Sequence, residues 1–131
     1  MFHYTVETTM SIQDAASVLE DVLKEQKFGV LWQFNVKEKL QEKGLEFNED
    51  YLILEVCNPQ EAKEVLSINK RIGYFLPCKI VLYREGGVTK IGMPKPTEFI
   101  KLIEDERLHN KAKEIEQRLM ACLEKSANVM Q

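Results

Sequence analysis

Two cysteines stand at positions where a site is easily built. Cys57 opens the run Cys-Asn-Pro, where an apolar strand gives way to a capped helix, and Cys78 closes Leu-Pro-Cys at the start of the next strand. Element ends are favoured places for sites, and an ionised thiol is both a nucleophile and a ligand for soft metals. The helix after Cys57 offers the partial positive charge of its N-terminus. That interaction, ~0.5–1 kcal/mol, lowers a thiol pKa by less than about one unit. Mild activation of Cys57 is therefore expected, unless burial in apolar surroundings opposes it. Cys78 shares parity with Ile80 and Leu82, which predicts a core position and a structural role. If the alternation holds to the strand ends, the two thiols point to opposite faces and cannot bridge. Pro77 removes a ladder donor and can shift that parity.

Other chemistries find less support. His3 and His109 are the only histidines, and neither lies in a ligand spacing. The cysteines lack zinc-finger spacing. Gly86-Gly87 reads as a hairpin and not as a phosphate-binding strand-to-helix loop, and hydrolase and kinase motifs do not occur. Without an acid–base constellation, the reading leans away from an enzyme.

Composition sets the frame for these residues. The chain of 131 residues is one domain's worth, read as a single α+β domain over 1–131. Hydrophobic content of 44%, charged content of 30% and a net charge of −3 give no pull toward nucleic acid or an anionic membrane. No apolar run approaches the ~18 residues that span a bilayer. Three cysteines without an export signal predict free thiols in a reducing cytoplasm.

The elements that position the cysteines follow from periodicity. Residues 2–9 alternate as a half-buried strand, with Phe2, Tyr4 and Val6 toward the core. Ser11 caps a helix striped with Ile12, Ala15, Val18, Leu19, Val22 and Leu23. A second strand carries Phe28, Val30, Trp32, Phe34 and Val36 on one face. Lys37 to Lys43 reads as a helical turn stopped by Gly44. After the strand Tyr51–Cys57, Asn58 caps a helix with Pro59 at its first position and Glu61 three residues after the cap, burying Ala62, Val65 and Leu66. Gly73 precedes a strand over Phe75–Arg84, and Gly86-Gly87 turns it into Val88–Met93. Thr97 caps a short helix, and Leu108, Ala112, Ile115, Leu119 and Cys122 stripe a long last one. The order β-α-β-β-α-β-β-α, with tight turns, predicts a two-layer α+β sandwich: a curved antiparallel sheet of about five strands with helices on one face.

Strand parity also defines the opposite face. It gathers His3, Thr5, Glu7, Leu31, Gln33, Asn35, Tyr51, Ile53, Glu55 and Cys57, a mixture too apolar for a solvated face and too polar for a second core. Three readings fit: a homodimer interface, an exposed sheet with scattered apolar residues, or a ligand groove with Cys57, Glu55, Gln33 and His3 as polar fixtures.

Three blocks carry a family resemblance. Lys-Phe-Gly-Val before the second strand, Glu55–Ala62 and Gly73–Tyr83 resemble the domain-of-unknown-function family 302 over nearly the whole chain. The resemblance implies a small bacterial or archaeal protein with an α+β fold and a curved antiparallel sheet. It implies no established reaction and supplies no cofactor. If the family's cysteine positions form a site, they map onto Cys57 and Cys78, while the additional Cys122 lies on an apolar helix stripe. Two functions compete: a cytoplasmic homodimer binding a small ligand or partner without classical catalysis, or a thiol protein using Cys57 and Cys78 for redox exchange or for a soft ion such as Cu(I) or Zn²⁺.

Overall fold

Alternating apolar residues, tight turns and three strong helix stripes produce one antiparallel sheet backed by helices. The computed structural model describes residues 1–129. Strands β1 (His3–Thr8), β2 (Gly29–Asn35), β3 (Tyr51–Cys57), β4 (Cys78–Glu85) and β5 (Val88–Pro94) pair in the order β1-β5-β4-β3-β2. Helices α1 (Ile12–Glu25), α2 (Val36–Glu42), α3 (Pro59–Ile68), α4 (Pro96–Ile100) and α5 (Glu106–Ala127) complete the α+β sandwich, with a 3₁₀ helix over Lys70–Phe75. Among the described residues, no helix is long and apolar enough to cross a membrane.

Local chemistry sets the element ends. Ser11, Asn35, Asn58 and Asp105 each accept from a backbone N–H in the first turn of the following helix. Gly86 and Gly87 adopt φ of +62° and +82°, which the tight turn between β4 and β5 requires and a β-carbon would resist. Around that turn, Thr89 Oγ1 donates to the Met10 carbonyl at 2.6 Å and accepts from Arg84 Nη1 at 2.9 Å. A fully buried hydroxyl therefore has both its partners.

The main core lies between the sheet and the α1/α5 pair. Leu54, Val56, Ile80, Leu82 and Ile91 from the sheet meet Leu19 and Leu23 of α1 and Leu119, Cys122 and Leu123 of α5. Arg118 locks the corner of this core: it donates to the Gln26 carbonyl at 2.7 Å, lies 4.9 Å over the Phe28 ring and pairs with Glu61.

Several expectations are corrected. In β2 the register slips between Val30 and Trp32, so Val30 faces Val56 while Trp32 faces Glu55. This β-bulge turns Trp32 and Phe34 to the outer face and Gln33 to the helix side, opposite Leu54. Asn35 likewise leaves the outer face and caps α2, and Val36 lies within that helix. Phe2 precedes β1 and is 66% exposed. In α3, Leu66 is exposed and Glu61 is buried. Lys70–Phe75 is a 3₁₀ helix, so β4 begins only at Cys78. Thr97 is not a cap, because Lys95 holds that position and Pro96 starts α4; Thr97 donates through both N–H and hydroxyl to the Glu116 carboxylate.

Candidate functional site

Three strand ends meet at one end of the sheet: the C-termini of β3 and β5 and the N-terminus of β4. Beyond them, α3, the 3₁₀ helix, α4 and the first turns of α5 form a second apolar cluster of Val65, Ile72, Ile100, Leu108 and Ala112. A cavity of about 350 Å³ lies between this cluster and the strand ends. Cys78 and Met93 line it from the sheet, Ile115 and Leu119 from α5, and Ile72 and Ile100 from the second cluster. Phe75 and Phe99, also in its wall, stack with centroids 5.3 Å apart and tie the 3₁₀ helix to α4. Glu55 and Lys79, cross-strand partners of β3 and β4, also border it, with the strand parity opposite to the buried Leu54, Val56 and Ile80, and the exposed Tyr74 adds a phenol. A mostly apolar concavity with a few polar groups at its edge is the usual form of a small-molecule site.

Behind the cavity wall lies a small electrostatic cluster. Glu61, only 8% exposed, pairs with Arg118 and lies 3.9 Å from Lys111. Its Oε2 is buried and has no hydrogen-bond partner. Burial pushes the Cys78 thiol up from 9.0 to about 11, and the negative charges of Cys57 and Glu61 add to the shift. Cys57 is also raised, first by burial and then by Glu61. The expected activation by the helix N-terminus is thus overturned: the carboxylate two positions inside α3 and the apolar surroundings outweigh the weak helix-end charge. Both shifts oppose thiolate chemistry at neutral pH. All three cysteines are free. Among the described residues, no group of three or more His, Cys, Asp or Glu side chains is arranged to hold a metal ion.

The structure divides the sequence-derived candidates. Cys78 and Glu55 line the cavity. Cys57, one residue beyond the Val56–Cys78 pair, has the opposite strand parity yet lies near enough to act on Cys78 electrostatically. Gln33 faces a separate groove beside Ile12 and Ala16 of α1. His3 is on β1, separated from β3 by two strands and so by roughly 14 Å of sheet, and hydrogen-bonds Thr5 at 3.0 Å. His109, outside the cavity lining, contacts the Ile103 carbonyl through Nε2 at 2.6 Å. Sequence reasoning missed Lys79, Phe75, Phe99, Ile100 and Ala112. The available signal was the apolar content of segments flanking the prolines at 77, 94 and 96, more than turns alone need.

An antiparallel α+β sandwich with a cavity at the ends of its central strands defines the structural class. The chain belongs to the family described as domain of unknown function DUF302, whose profile matches residues 4–126. A crystal structure of an uncharacterized conserved DUF302 protein from Bacillus stearothermophilus is similar at 56% identity and a TM-score of 0.92, over 96% of this chain and 98% of that one. No curated protein matches the chain.

Proposed function

We propose that this chain is a small-ligand-binding domain whose site is the cavity at the sheet end, and that it acts as a cytoplasmic homodimer without classical catalysis. The cavity carries the reading. Its volume of about 350 Å³ is roughly twice the ~150 Å³ apolar cavity that stays dry and holds benzene. Its interior offers shape and apolar surface rather than an acid–base pair, which favours binding over turnover.

Toluene is a suitable first probe. At about ten times its dissociation constant it should stabilise the fold by RT ln 11, about 1.4 kcal/mol, and raise Tm by roughly 4 °C. Ala112→Phe, which projects a ring into the cavity from α5, should abolish the increase. Ile115→Phe provides a second test if the first variant folds poorly. A wild-type Tm indifferent to toluene, decane and naphthalene would reject the reading.

The open sheet face supports self-association. Trp32 stacks on Phe34 with centroids 5.4 Å apart, and Tyr51 stacks on Tyr83 at 5.7 Å. Trp32 and its bulge neighbour Leu31 are 53% and 60% exposed. Aromatic surface of this kind is enriched at interfaces, and two-fold symmetry would apply it twice. Light scattering at micromolar concentration should give a dimer for the wild type and a monomer for Trp32→Glu. A monomeric wild type would remove this part of the proposal.

A further inference from the structure

We infer that the open sheet face receives a second copy of this chain across a two-fold axis along the β3/β4 boundary, which pairs Glu55 of each copy with Lys79 of the other. The inference rests on the self-association reading and specifies how the two faces meet.

Cross-strand register lays the outer face out in rows. Trp32, Glu55 and Lys79 form the first, Phe34, Ile53, Val81 and Gly92 the second, and Tyr51, Tyr83 and Lys90 the third. The middle row is apolar from the edge strand β2 across to β5, and the charges lie to either side of it. Lys90 already has Glu85 at 2.7 Å and Glu7 at 3.8 Å. Glu55 and Lys79 are directly opposed in register, which places their β-carbons roughly 5 Å apart. Among the described residues, neither forms an ion pair, although Lys90, Lys111 and Lys125 do. Two open charges of opposite sign beside an apolar row make a surface that can complement itself.

Sheets packed face to face keep their strands within about 30° of one another, and a two-fold relating them lies in the plane of contact. Two orientations of the axis satisfy this. An axis along the strands, between β3 and β4, exchanges those strands and keeps each row on itself. Glu55 then faces Lys79 of the other copy, twice over, and Ile53 faces Val81. Phe34 comes over Gly92, the position of that row without a side chain. An axis across the strands instead exchanges the first row with the third and sets Glu55 against Tyr51, with no cation to meet it. Charge complementarity selects the first. The ion pairs lie beside the apolar row, where they fix register more than they add affinity.

Sedimentation velocity of the full chain over a dilution series, with Glu55→Lys and Lys79→Glu, tests this directly. Each reversal alone sets like charges across the axis twice, so each should weaken self-association roughly ten-fold or more. Mixed one to one, the two variants should recover wild-type association, because each then meets the opposite charge on the other at both positions. Circular dichroism will show whether the fold is retained. If a reversal folds poorly, the milder Glu55→Gln and Lys79→Gln should each weaken association about three-fold. Either reversal, or either neutral variant, associating like the wild type would overturn the two-fold and leave self-association intact. Reversals that weaken association without rescuing each other on mixing would also overturn it. A wild type that stays monomeric at every concentration would overturn both.

Discussion

Replacing Arg118 by methionine should destabilise the fold by about 1–3 kcal/mol, between the range for an exposed pair and that for breaking one side of a fully buried one, because the arginine side chain is 27% exposed. The size follows from what the guanidinium leaves behind. Glu61 would remain buried with Lys111 at 3.9 Å and with an oxygen already lacking a partner. The Gln26 carbonyl would lose its 2.7 Å donor and the Phe28 ring its cation. At the upper end of that range, Tm should fall by roughly 10 °C. Much of the cost comes from a buried charge left with Lys111 alone at 3.9 Å, so Glu61→Gln combined with Arg118→Met should recover part of it. Equilibrium urea unfolding of the four proteins measures the cycle. Additive single effects would show that Glu61 and Arg118 act independently.

Alkylation should find Cys78 about a hundred-fold slower than an unperturbed thiol near neutral pH. A rise from 9.0 to about 11 reduces its thiolate fraction by that factor, before any loss from limited access. Cys57 should also react more slowly than a free thiol, and Glu61→Gln should speed both by removing a negative charge that raises them. Iodoacetamide labelling against pH, read by mass for each cysteine, gives the rates. Stability should respond in the same sense. Cys78 holds its proton longer in the folded state, so between pH 9.0 and about 11 the unfolded chain binds fewer protons and unfolding becomes easier as pH rises. Rapid labelling of Cys78 at neutral pH would contradict the burial and charge assigned to it.

The legible parts of this fold were those governed by local rules. Asn58 and Pro59 mark the start of α3, Gly86-Gly87 forces the β4/β5 turn, and the stripe from Leu108 to Cys122 follows α5. Cys78 in the core parity followed from simple alternation with Ile80 and Leu82. The less legible parts depended on contacts between distant segments. The bulge after Val30 exchanges the faces of Trp32 and Gln33, and no glycine or proline at Leu31 announces it. Glu61 has the sequence position of a capping acid, yet the approach of Arg118, far along the chain, makes it a buried counter-ion. Lys70–Phe75 carries too few residues for a period to show, although Ile72 and Phe75 from it help wall the cavity.

The cysteine pair consequently takes a different role from the one its position suggests. Cys57 and Cys78 share an electrostatic neighbourhood with Glu61, and that neighbourhood suppresses ionisation. What Cys78 contributes to the cavity is a soft, neutral wall surface.

Methyl- and amide-resolved NMR of the chain titrated with toluene tests the cavity assignment most directly. The proposal predicts saturable shifts concentrated on Cys78, Ile100, Ala112, Ile115 and Leu119, all lining residues, with little change at Gln33 or His3. Shifts confined to Trp32, Phe34 and Tyr83 on the open face, or no saturable shift at all, would contradict it.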